Sequence, residues 1–196
     1  MLNVKRSKFV NKMICLVLSA VMVMSMCVSA SATVIDGHDM SGYTSFRTVF
    51  TDDYAEGIEG VTYLIDSNNV LYIPLAYTVF LSPENTHYAY NVSYNTAGAA
   101  TSCTIETADR YSWANGYFTV WRNSKKLRIS GHDETLKYSP VFLGELGTSG
   151  IELVYISVDD FERIYGFDKN IWQAKNTIYF SRNGQGLLQK YKAGAA

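Results

Sequence analysis

Beyond its first thirty or so residues the chain is dominated by short runs in which apolar and polar side chains alternate, the period of a half-buried strand. Residues 61–65 and 70–75 predict two strands joined by Asp66-Ser67-Asn68-Asn69, side chains that hydrogen-bond their own backbone in turns. Tyr88, Tyr90, Val92 and Tyr94 alternate ahead of a turn at Asn95-Thr96-Ala97-Gly98, and residues 101–107 return as a hairpin. Residues 117–121 and 126–130 form a second hairpin around Asn123-Ser124, with a further turn at Gly131-His132-Asp133-Glu134. Residues 136–143 are extended, and a loop holding three glycines covers 144–150. Residues 43–50 alternate more loosely and predict another strand, after a polar leader over 33–42 and before a connecting turn over 52–60.

One stretch changes period. A strand over 151–156 leads into Val158, Phe161, Ile164 and Tyr165, which recur on one helical face. Ser157 is placed to cap that helix, Asp159, Asp160 and Glu162 favour its positive end, and Gly166 stands where a left-handed residue stops it. A shorter apolar helix is expected over 76–81, stopped near Ser82-Pro83. Residues 171–173 and 177–181 close the pattern as a last hairpin, and 184–196 read as a flexible tail.

The amino terminus predicts export. Lys5, Arg6, Lys8 and Lys12 precede an apolar run over 13–28, and Ala30-Ser31-Ala32 supplies a small-x-small cleavage pattern. That run is shorter than the roughly 20 residues a membrane-crossing helix requires. Residues 1–32 are therefore expected to be a removable signal peptide, leaving a secreted or cell-surface protein.

Removing the leader alters the chemistry available. Of three cysteines only Cys103 remains, so the mature chain forms no internal disulfide and must rely on a core. The leader holds four of the 17 basic residues and none of the 18 acidic ones, leaving 13 against 18 and a mature net charge near −5. That balance argues against nucleic acid or anionic lipid as a partner. All 15 tyrosines and all three tryptophans lie beyond the leader, as suits strand-rich structure. Tyr111, Trp113, Tyr117 and Trp121 cluster in sequence and are the candidate ligand-binding residues, as a stacking platform.

No reactive constellation is spelled out. His132-Asp133-Glu134 with His87 is the densest metal-ligating group, but a hairpin tip accounts for it. Cys103 reads as a small packing residue in a Thr/Ser-rich strand. The acid pairs Asp52-Asp53 and Asp159-Asp160 suit a turn and a helix start, and no nucleophile elbow or phosphate loop is present. No catalytic residue, metal or cofactor is assigned.

The two halves echo one another. Leu71-Tyr72-Ile73-Pro74-Leu75 aligns with Val154-Tyr155-Ile156-Ser157-Val158 at an offset of 83 residues, and each is followed by a helical stretch and a hairpin. Together with Asp159-Asp160-Phe161, Ile164-Tyr165-Gly166, Trp172 and Asn176-Thr177-Ile178-Tyr179-Phe180, the second copy resembles the copper amine oxidase N-terminal-like (stalk) domain of exported bacterial proteins. Ser157 replaces that family's usual proline. The likeness runs from about residue 117 to 181, with a fainter copy in the first half. It implies an α+β fold of antiparallel twisted sheets, each packed on a short helix, in two tandem β-β-β-α-β-β units over 33–110 and 111–183. It also implies that Phe161, Ile164, Gly166 and Trp172 are structural, with Phe161, Ile164 and Trp172 meeting in the interior and Gly166 ending the helix. The copper and quinone of true amine oxidases lie outside this domain, and with only His38, His87 and His132 present no copper is expected. The resulting expectation is a non-catalytic surface or stalk module for protein or envelope interaction. The alternative is a polysaccharide-binding module, and a small secreted hydrolase using His132 or Cys103 is a more distant third.

Overall fold

The computed structural model describes residues 33–50, 54–76, 88–107, 116–144 and 152–191. Thirteen strands in two sheets dominate it, with two short helices, so the chain is a β-rich α+β protein. The first sheet runs β10 (Val141–Gly144), β11 (Glu152–Ser157), β4 (Leu71–Pro74), β3 (Tyr54–Asp66), β2 (His38–Phe50), β13 (Thr177–Arg182), β12 (Phe167–Trp172), with β1 (Thr33–Ile35) paired to β2. The second runs β5 (Tyr88–Tyr94), β6 (Ala100–Thr107), β7 (Gly116–Trp121), β8 (Lys126–Ile129), β9 (His132–Thr135). Among the described residues no helix is long and apolar enough to cross a membrane.

The polar stretch expected to be a leader is instead a hairpin. β1 (Thr33–Ile35) and β2 (His38–Phe50) meet at Asp36-Gly37, whose φ values of 49° and 77° are those of a tight turn suited to twisted strands. β3 (Tyr54–Asp66) pairs with β2, and the turn to β4 (Leu71–Pro74) is held by Asp66, whose carboxylate accepts from the N–H groups of Asn68 and Val70 at 2.9 Å each. Of the helix expected over 76–81, only Ala76 lies within the described residues. β5 (Tyr88–Tyr94) and β6 (Ala100–Thr107) follow, their turn closed by the Asn95 side chain accepting from Ala97 and Ala99 N–H. β7 (Gly116–Trp121), β8 (Lys126–Ile129) and β9 (His132–Thr135) complete the second sheet. Ser130-Gly131 is the tip of its last hairpin, so His132, Asp133 and Glu134 belong to a strand and not to the turn.

β10 (Val141–Gly144) and β11 (Glu152–Ser157) return to the first sheet, and α1 (Val158–Tyr165) follows directly. Its ends are as the residues dictate. The Ser157 Oγ accepts from Asp160 N–H at 3.0 Å, and Gly166, at φ 73°, donates its N–H to the Glu162 carbonyl. Gly166 is also obligatory for space, because a Cβ there would meet the Gly186 backbone nitrogen at 2.6 Å. Phe161 is fully buried, its ring 5.1 Å from Phe180, 5.8 Å from Phe167 and 6.3 Å from Phe50. Burial on this scale contributes about 1.5–3 kcal/mol per ring. Ile164 is equally buried, and Tyr165 reaches across to Phe118 of the second sheet at 5.8 Å. The helix thus sits in a core fed by both sheets.

β12 (Phe167–Trp172) and β13 (Thr177–Arg182) end the sheet, and here three expectations are corrected. The first sheet is mixed, since β13 runs parallel to β2 with Thr177 opposite Arg47 and Phe180 opposite Phe50. Trp172 is not interior but 45 % exposed. β12 is an edge strand on which only Phe167 is buried, while Ile178 and Phe180 of β13 fill the core at that end. The tail expected to be free forms α2 (Leu187–Lys190), because Leu187 and Leu188 bury themselves in the main core.

Strands from both halves of the chain occupy both sheets. The β5–β6 hairpin pairs with β7, and the β12–β13 hairpin pairs with β2, so each sheet crosses the expected boundary at residue 110. The two echoed segments are neighbours: β4 and β11 lie antiparallel, with Ile73 opposite Ile156, Tyr72 opposite Ser157 and Pro74 opposite Tyr155. Ile73 and Ile156 are also equivalent in the sequence echo, so the pairing is centred on one equivalent pair.

Candidate binding face

Strand alternation divides the second sheet into two surfaces. On β7 the even-numbered Phe118 and Val120 turn inward, joined by Cys103 and Ile105 of β6 and by Leu127 and Ile129 of β8, all fully buried. Tyr117, Thr119 and Trp121 therefore point outward. Their cross-strand partners on β6 are Glu106, Thr104 and Ser102, beyond which lie Asn91 and Ser93 of β5. On the other side Thr119 faces Arg128, and Arg128 faces Asp133. The outer face is consequently a continuous field of hydroxyl, amide and charged groups carrying two aromatic rings.

Local contacts fix this field. The Thr104 and Thr119 hydroxyls share a hydrogen bond of 2.8 Å across the strands. Lys126 Nζ lies 4.9 Å from the centre of the Trp121 ring and 4.0 Å from the Asp133 carboxylate. Tyr117 is 43 % exposed and Trp121 half-buried under that lysine. Four residues along one strand separate them by about 13 Å. Tyr111 and Trp113, the other two members of the expected platform, lie outside the described residues.

The remaining candidate groups are engaged in structure. Cys103 is buried, and loss of solvent pushes its thiol up to about 12, far from a reactive thiolate. His132 stacks on Tyr191 with centroids 4.3 Å apart, while the Tyr191 hydroxyl donates to Glu134 at 2.5 Å. That hydrogen bond, helped by Lys190 and Arg163, holds the Glu134 carboxyl below its usual range. Asp160 is buried beneath the start of α1 and accepts from the N–H groups of Lys137 and Tyr138, which ties the segment before β10 to the helix. Asp159 bonds Lys137 at 2.6 Å and Lys169 at 2.7 Å, and these ammonium groups hold its carboxyl below the usual range, favouring the ionised form. His87 and Asp52-Asp53 lie outside the described residues. Among the described residues no three His, Cys, Asp or Glu side chains converge as a metal site.

One polar cluster has no sequence signal because its members are far apart in the chain. His38 Nδ1 lies 3.1 Å from the Tyr72 hydroxyl and its Nε2 lies 3.0 Å from Ser139 Oγ, while Tyr72 also donates to Asp66 at 3.4 Å. Burial pulls the imidazole below its ordinary value of 6.5, against the nearby Asp66 and Asp36 carboxylates. Ser139 and His38 are at nucleophile–base distance, but catalysis would also require donors for a developing oxyanion. The neighbouring Phe142 N–H is already spent on Asp36 at 2.6 Å, and Arg122 bonds the same carboxylate at 2.6 Å. The cluster clasps the β1–β2 hairpin to β4, β10 and the end of β7.

No family model, curated protein or solved structure matches the chain.

Proposed function

We propose that the protein is an exported, non-catalytic binding module that engages a protein or other envelope component outside the cell through the outer face of its five-stranded sheet. The observation that supports this most is the division of β7: Phe118 and Val120 are consumed by the core, while Tyr117 and Trp121 are left on a polar, hydrogen-bonded outer face. Aromatic rings on such a surface supply contact area at small conformational cost. The charged leader and its small-x-small end favour export.

The finer architecture belongs to the same proposal. We read the chain as two degenerate copies of a stalk-like β-β-β-α-β-β unit, interleaved rather than strung in tandem. The antiparallel pairing of β4 with β11 about Ile73 and Ile156 supports that reading, as does the exchange of final hairpins between halves. Kinship with the copper amine oxidase N-terminal-like domain is proposed on the hallmark residues alone.

The test is retention of the mature protein on the envelope fraction of its source cells. Tyr117→Ala/Trp121→Ala should reduce retention at least tenfold with an unchanged melting temperature. Equal retention of the double variant would refute this face. A polysaccharide partner is the second reading, favoured by the shared outward direction of the two rings. Enzymatic stripping of envelope proteins would then leave retention intact.

A further inference from the structure

A separate groove of about 440 Å³ opens on the first sheet, lined by Ser45, Arg47, Glu59, Lys175, Asn176 and Thr177 among others. It exists because the β2–β3 ladder is irregular there. The register shifts between Phe46 and Thr48, and Gly60 takes a φ of 68°. Such bulges re-aim side chains and commonly border functional sites. The turn before β13 is stapled against the groove, with Arg47 N–H donating to the Asn176 carbonyl at 3.0 Å and the Asn176 side-chain amide donating to the Ser45 carbonyl.

Trp172 stands at the rim. It faces Thr177 directly across β12 and β13, and Thr177 in turn faces Arg47, so the three share one side of the sheet within about 10 Å. Lys175 Nζ rests 4.3 Å from the centre of the Trp172 ring, and among the described residues it has no carboxylate at ion-pair distance. Arg47 Nε lies 3.0 Å from Glu59, whose side chain is 77 % exposed. Among the described residues, the groove and its rim therefore bring together an exposed indole, two cations, a carboxylate and an amide.

We infer that this groove is a subsite for an acidic sugar residue, a uronate in a glycan chain. The indole, covered on one face by Lys175 but 45 % exposed, leaves ring surface for contact with the pyranose. Lys175 and Arg47 receive the carboxylate, and Glu59 accepts hydroxyl protons. A neutral sugar would use the ring and Glu59 but leave Lys175 without a counter-charge. The mature chain is negative overall, so attraction of an acidic ligand rests on Lys175 at short range. The inference concerns a different surface from the five-stranded sheet and does not depend on the function proposed for it.

The test is affinity electrophoresis of the mature protein in gels containing polygalacturonate or, separately, neutral galactan. The two polymers share a galactose-type ring and differ in the carboxylate. Retardation is expected in polygalacturonate only, weakening with added salt. Trp172→Ala and Lys175→Gln should each weaken it at least tenfold, while Tyr117→Ala should not alter it. Both altered side chains are exposed, so an unchanged melting temperature is the control for folding. No retardation, equal retardation by galactan, or retardation that survives both substitutions would overturn the assignment.

Discussion

Phe161 and Trp172 bring large aromatic rings to opposite environments. Phe161→Ala removes a fully buried ring from an aromatic cluster and should cost about 3–5 kcal/mol. Trp172→Ala, on an exposed edge, should cost about 1 kcal/mol or less by the same denaturant titration. The helical residue was legible because Val158, Phe161, Ile164 and Tyr165 repeat on one face. Trp172 was misplaced because Asp168 to Trp172 carries no alternation that fixes which side of β12 faces the core. The His38 cluster has no local signature, since its partners Tyr72 and Ser139 meet it only after folding. Its imidazole ionises below 6.5 in the fold and near 6.5 when unfolded. The unfolded chain therefore takes up the proton first, so this contribution to stability is present above pH 6.5 and lost as pH falls below it. His38→Gln should flatten the pH dependence of the melting temperature in that window.

At the scale of elements, helix α1 and the hairpins were readable because their causes are local. The Ser157 cap, the Gly166 stop and the Asp66 and Asn95 turns each act within a few residues. Ser157→Ala should cost about 1–2 kcal/mol, because it removes the cap and one hydrogen bond to the buried Asp160 carboxylate. Gly166→Ala should be worse, since the left-handed backbone and the Gly186 contact both oppose a Cβ. Helix α2 has no local signature, with four residues, no side-chain cap and a polar, glycine-rich approach. Its stability comes from docking Leu187 and Leu188, with Tyr191 fastening its end to Glu134. Truncation after Gly186 should therefore lower the melting temperature by several degrees, because it removes Leu187 and Leu188 from the core and the Tyr191 hydrogen bond from Glu134, where a disordered tail could be removed without effect.

The whole molecule depends on pairings that local pattern does not contain. Alternation shows that a strand has an inner side, but not that β13 will lie parallel to β2 or that β5–β6 will extend β7. The division of β7 into inner and outer residues was implicit in its spacing. Which side carries the core is decided by a distant element, through the packing of Tyr165 against Phe118. The proposed function rests on that division, since residues committed to the interior cannot meet a partner. Hydroxyl-radical footprinting of the mature protein, free and bound to the envelope fraction, reads it out ring by ring. The account predicts that Tyr117 and Trp121 lose reactivity on binding while buried Phe118 stays unreactive in both states. Unchanged labelling of Tyr117 and Trp121 in the bound protein would contradict it.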